Sequence, residues 1–316
     1  MAGFLKRIRT KRPAVRHHPA HPAEVKAAPH TYADRWWSVD DLKLHARDYG
    51  GGDGDAKVPV ICLHGLTRNA ADFEDLAPWI AAQGRRVLAV DVRGRGLSDW
   101  DSDPFRYHPG TYAQDLIALL HIAGITRAVF IGTSMGGIIA MVLASLRPDM
   151  IEAAVLNDVG VRVAPEGLAR ISGYVGGGEP VKDWAAAAAY ARATNGVAFP
   201  HFTDADWLAF ARRLFEPAPG GGLRLAYDPK ISVPIAAAAG APAPDLTGFF
   251  IGLSAGRRVL LVHGAQSDIL DRGTVNEMQL LAPGMDYVEI PGVGHAPTLS
   301  EPQAQQAILR LLDQAG

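Results

Sequence analysis

The sequence predicts an α/β fold, a mostly parallel sheet flanked by helices. Three observations carry that prediction. From Trp36 onward, short β-branched and apolar runs alternate with longer helical stretches, the rhythm of successive strand-helix units feeding one sheet. Several of the runs are apolar at every position, as in strands buried on both faces. Between Ala128 and Leu146 an apolar strand passes through GTSMGG directly into the helical text IIAMVLASL.

Taken in order, strands are predicted at residues 42–49, 58–63, 86–91, 128–131, 153–157, 258–263 and 285–290. The helix after GTSMGG is apolar all round, so it belongs at the centre of the fold, and Pro148 ends it. From about Val161 to Ser254 the strand rhythm lapses, and glycine runs stand at Gly176–Gly178 and Gly220–Gly222. The expected organisation is a basic flexible arm at 1–30, a core formed by 31–160 with 255–316, and a helical cap or lid at 161–254. The aromatic residues of the cap (Tyr174, Trp184, Phe199, Phe202, Trp207, Phe210, Phe215) would fill its own small core and together favour an apolar pocket. The glycine runs contain no GK[ST] and follow no strand, which argues against a phosphate cradle.

A chain of 316 residues can bury one large core with a subdomain packed on it. Its 48% hydrophobic and 20% charged residues are those of a globular protein. A net charge of -2 gathers no nucleic acid, and no helix-turn-helix or zinc-finger spacing is present. Cys62 is the one cysteine, so neither an intramolecular disulfide nor a thiolate zinc site can form. Set in VPVICLHG, it is expected to be a buried strand thiol in a protein of the reducing cytoplasm. No apolar run reaches the roughly 18–20 residues of a membrane span. The first thirty residues are basic and rich in Pro, His and Ala, without the apolar stretch of a secretory signal. Phe4 and Leu5 at the head of this arm would give at most weak contact with an anionic membrane. His17, His18 and His21 read as tail composition rather than a metal site.

Gly132, Thr133, Ser134, Met135 and Gly136 spell G-x-S-x-G between a strand and a helix, the setting of a nucleophile elbow. The glycines leave room around a strained serine, and the Met135 N–H, in the first turn of the helix, can face an oxyanion. A serine hydroxyl needs a base to take its proton as it attacks. His295, in the loop PGVGHAPTL after the last predicted strand, is placed to be that base. A carboxylate between the two in sequence completes the order Ser, acid, His. Asp268 in GAQSD and Asp158 in LNDVG both qualify, and Asp268 is favoured because its loop ordinarily faces the histidine loop. Asp158, opening the cap, is expected to anchor the crossover by accepting backbone N–H bonds. A second oxyanion donor is expected from the Leu66 N–H in HGLTRN, with His64 bracing that loop rather than acting as a base.

HGLTRN, DVRGRGLSD, GTSMGG, LNDVG, GAQSD and GVGHAP resemble the α/β-hydrolase superfamily, in its cap-bearing serine esterase-like branch, from about Trp36 to the C-terminus. The resemblance implies an eight-stranded core sheet with a helical cap inserted after strand six, no cofactor, and Ser134, Asp268 and His295 as the triad. It also implies that DVRGRGLSD braces loops near the site, making Asp91, Arg93 and Asp99 structural. Serine as nucleophile separates the chain from the superfamily's haloalkane dehalogenases and epoxide hydrolases, which use aspartate. The loop after His64 lacks the Gly-Pro-Gly of meta-cleavage carbon-carbon hydrolases. The expected activity is hydrolysis of small or medium, mainly apolar carboxylic esters through an acyl-enzyme on Ser134. The alternatives are a lactonase or carbon-carbon bond hydrolase with the same triad, or a ligand-binding protein of this fold with little turnover.

Overall fold

The computed structural model describes residues 32–50, 57–241 and 243–316. The expected basic arm, with Phe4, Leu5, His17, His18 and His21, lies outside the described residues. Among the described residues, ten strands run in chain order: β1 (Ala33–Val39), β2 (Leu42–Tyr49), β3 (Val60–Leu63), β4 (Val87–Asp91), β5 (Ala128–Thr133), β6 (Ile151–Asn157), β7 (Phe215–Pro217), β8 (Leu223–Leu225), β9 (Arg258–Gly264) and β10 (Asp286–Ile290). The α-helices are α1 (Leu76–Ala81), α2 (Pro109–Ile122), α3 (Met135–Leu146), α4 (Pro165–Ser172), α5 (Trp184–Asn195), α6 (Asp204–Leu214), α7 (Ser232–Ala237), α8 (Thr247–Ser254), α9 (Arg272–Leu281) and α10 (Pro302–Asp313).

Eight strands form one sheet in the order β1-β2-β4-β3-β5-β6-β9-β10. Its β1-β2 and β2-β4 pairs are antiparallel and the rest are parallel. The alternation of side chains along each strand divides the interior in two. Ile61, Leu63 and Phe130 face the layer of α2, α3, α8 and α9 with Leu119, Ile139, Phe250 and Met278. Val60, Cys62 and Ile131 face α1 and α10 with Leu76, Ile308 and Leu311. Burial in that second layer pushes the Cys62 thiol far up, which leaves it an inert core side chain. As its all-round apolar text requires, α3 lies buried against α2, α8 and β5. Among the described residues, no helix is long and apolar enough to cross a membrane.

The structure adds to the sequence reading in three places. Strand β1 joins the seven strands expected from the sequence; it is an edge strand whose side chains are almost all exposed, so it shows no apolar pattern. The segment expected as a helical cap also contains the antiparallel hairpin β7-β8. That segment does not extend to Ser254 as a separate unit, since α8 packs on α3 and buries Phe250 and Leu253 in the main core. What stands apart is a third cluster built by α5, α6 and the hairpin from Ala187, Ala191, Phe199, Trp207, Phe210, Leu214, Phe215 and Leu223. Phe199, Phe202, Trp207 and Phe210 lock it by stacked and edge-to-face ring contacts, each adding about 0.5–1.5 kcal/mol beyond area burial.

Candidate active site

Ser134 sits alone between the end of β5 and the start of α3, with φ of 51°. A serine in this left-handed region is strained and persists only where its surroundings enforce it. Here the enforcement is spatial. A Cβ on Gly132 would stand 2.4 Å from the Gly136 carbonyl carbon, and one on Gly136 would stand 2.0 Å from the Leu63 oxygen. Only glycine lets α3 approach β3 and β5 so closely. The Ser134 N–H donates to the Asn157 carbonyl at 2.9 Å, tying the elbow to β6.

The parallel register of β5 and β6 pairs Thr133 with Asn157, so the next residue on each strand, Ser134 and Asp158, emerges level at the same edge of the sheet. His295 bridges them. Its Nε2 lies 3.0 Å from Ser134 Oγ and its Nδ1 lies 2.8 Å from Asp158 Oδ2. Asp158 is fully buried, and φ of 56° turns it back toward the site. Its carboxylate also accepts the Gly264 N–H at 2.8 Å and the Ser267 hydroxyl at 2.6 Å. Three donors on one buried carboxylate fix its orientation and satisfy its charge. Asn157 adds a further tie, donating from Nδ2 to Thr133 Oγ1 at 3.0 Å and to the Pro297 carbonyl at 2.8 Å. It thereby joins the serine turn to the histidine loop.

Asp268, the favoured acid, is not at His295. Its carboxylate receives Arg170 Nε at 2.5 Å and Nη2 at 2.9 Å, and that guanidinium holds it below the usual carboxylate range against the opposing effect of burial. The GAQSD loop does face the histidine loop, with the Gln266 N–H donating to the Val293 carbonyl at 2.9 Å. What it brings to the acid are donors, from Gly264 and Ser267, while Asp268 points at α4. The signal that favours Asp158 was present in the sequence: it stands directly after a buried strand, whereas Asp268 lies four residues beyond one.

Leu66 lines the pocket beside Ser134, and Met135 opens α3, where a first-turn N–H has no intrahelical acceptor. The peptide carrying the Leu66 N–H is clamped from its other side. His64 is buried, with Nε2 accepting the Val92 N–H at 3.0 Å. Its proton is therefore on Nδ1, which donates to the Gly65 carbonyl at 2.7 Å. Because the Gly65–Leu66 peptide is planar and trans, fixing its carbonyl fixes the opposed N–H. The next carbonyl, Leu66 O, accepts buried Arg95 Nε at 3.0 Å, and Arg95 also donates to Tyr112 Oη at 2.7 Å.

The DVRGRGLSD loop that presents Arg95 is held by buried charge. Arg93 donates to both Asp115 and Asp101. Asp91 accepts His45 together with the Ala70 and Leu97 N–H groups, and Asp99 accepts the Lys43 N–H. Burial opposes a charge on the His45 ring, but Asp91 and Asp34 outweigh it and raise its pKa.

Burial pushes the His64 pKa down to about 4 from 6.5. The unfolded chain takes up this proton near 6.5 and the folded chain refuses it, so the contribution to stability is complete above that pH and falls on acidification toward 4. At pH 5 the loss expected from this group is about 2 kcal/mol. An NMR titration should show the His64 ring still neutral at about pH 5; protonation at an ordinary histidine pH would contradict the clamp.

The pocket above Ser134 is lined from both sides. Leu66, Thr67, Arg68, Asp72 and Phe73 come from the loop after β3, and Ile171, Tyr174, Asn195, Phe199, Phe210 and Arg213 come from the segment inserted between β6 and β9. Of the aromatic residues named from sequence, Tyr174, Phe199 and Phe210 reach this pocket. Beside these apolar groups the lining carries charge, from Arg68, Arg213 and Asp72. The arrangement can deliver a hydroxyl nucleophile, a base aligned by a buried carboxylate, and backbone donors for a developing oxyanion.

Residues 60–307 match the alpha/beta hydrolase family. A crystal structure of an alpha/beta hydrolase from Novosphingobium aromaticivorans superposes with a TM-score of 0.83 at 46% identity, covering 90% of this chain and 98% of that one. A 3-hydroxybutyrate-oligomer hydrolase of Cupriavidus necator is 38% identical over 79% of this chain and 86% of its own length. A 2-(acetamidomethylene)succinate hydrolase of Mesorhizobium japonicum is 25% identical over 84% of this chain and 89% of its own.

Proposed function

Because the chain belongs to the alpha/beta hydrolase family, we propose that it is a serine esterase, cleaving carboxylic esters of small or medium size through an acyl-enzyme on Ser134. The observation that carries this reading is the hydrogen-bonded series Ser134 Oγ, His295 Nε2, His295 Nδ1, Asp158 Oδ2 at the floor of a pocket. His295 takes the Ser134 proton as Oγ attacks the ester carbonyl, and Asp158 offsets the charge on the imidazolium. The Leu66 and Met135 N–H groups receive the oxyanion. His295 returns the proton to the departing alkoxide, then activates a water that releases the acid and restores the serine.

Hydroxy-acid esters are the favoured substrates, on the strength of the relative that hydrolyses 3-hydroxybutyrate oligomers and a pocket offering polar groups beside apolar ones. The segment from Val161 to about Leu246 acts as the cap, supported by its share of the pocket lining. The single buried cysteine suits a cytoplasmic protein.

The test is a panel of esters graded by acyl length, with lactones and a vinylogous meta-cleavage diketone included. Acyl esters should give the higher kcat/KM, and an organophosphonate should label Ser134 in a peptide map. A diketone that outruns every ester would put carbon-carbon hydrolysis in place of this reading.

A further inference from the structure

We propose that Arg68 is a carboxylate-reading residue, so that the preferred esters carry a free carboxylate; the inference rests on the esterase reading above. Arg68 lines the pocket that holds Ser134 and His295. It follows the Leu66 turn closely enough that a Cβ on Gly65 would meet Arg68 Cγ at 3.4 Å and Ser134 Cβ at 3.9 Å. Its guanidinium is fixed on two sides. Asp72 takes Nε at 2.8 and 2.9 Å and Nη2 at 2.5 Å, and the Phe210 ring centroid lies 4.0 Å from Cζ.

That leaves Nη1 with no acceptor among the described residues, on a side chain only 16% exposed. A guanidinium cannot shed its proton, and its planar edge matches a carboxylate. With rotation prevented by Asp72 and Phe210, little conformational entropy remains to be lost when an anion binds. Arg213, the other arginine of the lining, bonds likewise among the described residues through Nε and Nη2 only, but to two carboxylates, Glu74 at 2.7 Å and Asp75 at 2.6 Å, which leave it less positive charge to offer an anion.

The experiment compares acid with neutral isostere on either side of the scissile bond. One pair is the linear 3-hydroxybutyrate dimer and its terminal primary amide. The other is the phenyl monoester of adipic acid and the phenyl ester of its monoamide. In at least one pair the wild-type kcat/KM should favour the acid by about tenfold or more, the scale of one charge-assisted hydrogen bond. Arg68→Gln should bring that ratio within about threefold of unity, and Arg213→Gln should leave it near the wild-type value.

No acid preference in either wild-type pair, with esters still cleaved, overturns this proposal and leaves the esterase reading intact. Failure to cleave any of the four overturns both. If Arg68→Gln lowers acid and amide rates alike and also lowers Tm, the residue only ties the β3 loop to α6, and the proposal is wrong. Loss of the preference in Arg213→Gln instead would move the role to that residue.

Discussion

Ser134→Ala is expected to lower kcat by at least about a thousandfold while the protein stays folded, since oxyanion donors and binding contacts cannot replace covalent attack. The hydroxyl has one side-chain partner, His295 Nε2 at 3.0 Å, and both atoms face the pocket, so its removal strands no buried polar group. Alanine meets the same backbone strain as serine at φ of 51°, which keeps the expected stability change within about 0.5 kcal/mol. Steady-state rates on the best ester, beside a melting curve, check both halves. A variant with more than about a tenth of the wild-type rate would remove Ser134 from the mechanism.

Asp158→Asn should cost about three to four orders of magnitude in kcat. An amide at this position carries no charge to set against the imidazolium. It also cannot accept from all three donors that converge on the carboxylate, His295 Nδ1, Gly264 N–H and Ser267 Oγ. Turning its NH2 toward His295 favours the wrong tautomer and also faces the Ser267 hydroxyl, and turning it away sets it against the Gly264 N–H, so Tm should fall as well. Asp268→Asn is the control. It gives up a part-exposed ion pair with Arg170, worth on the order of 1 kcal/mol or less, and should keep kcat within about tenfold of wild type. Both variants are compared at one pH on one ester. A larger rate loss at Asp268 than at Asp158 would falsify the assignment of the acid.

The two acids show where local text stops being informative. The GAQSD loop approaches His295 as its turn residues suggest, yet Ser267 and Gly264 face inward to Asp158 while Asp268 pairs with Arg170. Adjacent residues in a loop point in directions set by the packing of both sides, and the decisive neighbour, α4, belongs to the segment with the weakest sequence pattern. Arg68 is illegible in the sequence for a similar reason: nothing local to it announces Asp72 and Phe210 as its two clamps.

By itself the sequence determined the α/β class, seven of the eight strands of the main sheet, the buried helix α3, and Ser134 and His295 as the residues to place at one site. These follow from short-range rules: apolar runs of strand length, glycines where a side chain would collide, and a loop after the last strand. Tertiary structure alone decided that Asp158 meets His295, that β1 completes the sheet, that α8 belongs to the core, and that arginines enter the pocket. Each of these depends on contacts between residues far apart in the chain, such as the 137 positions separating Asp158 from His295. Such a contact is set by strand register and by the direction a side chain leaves its backbone, and neither is written in the composition of the segment that carries it.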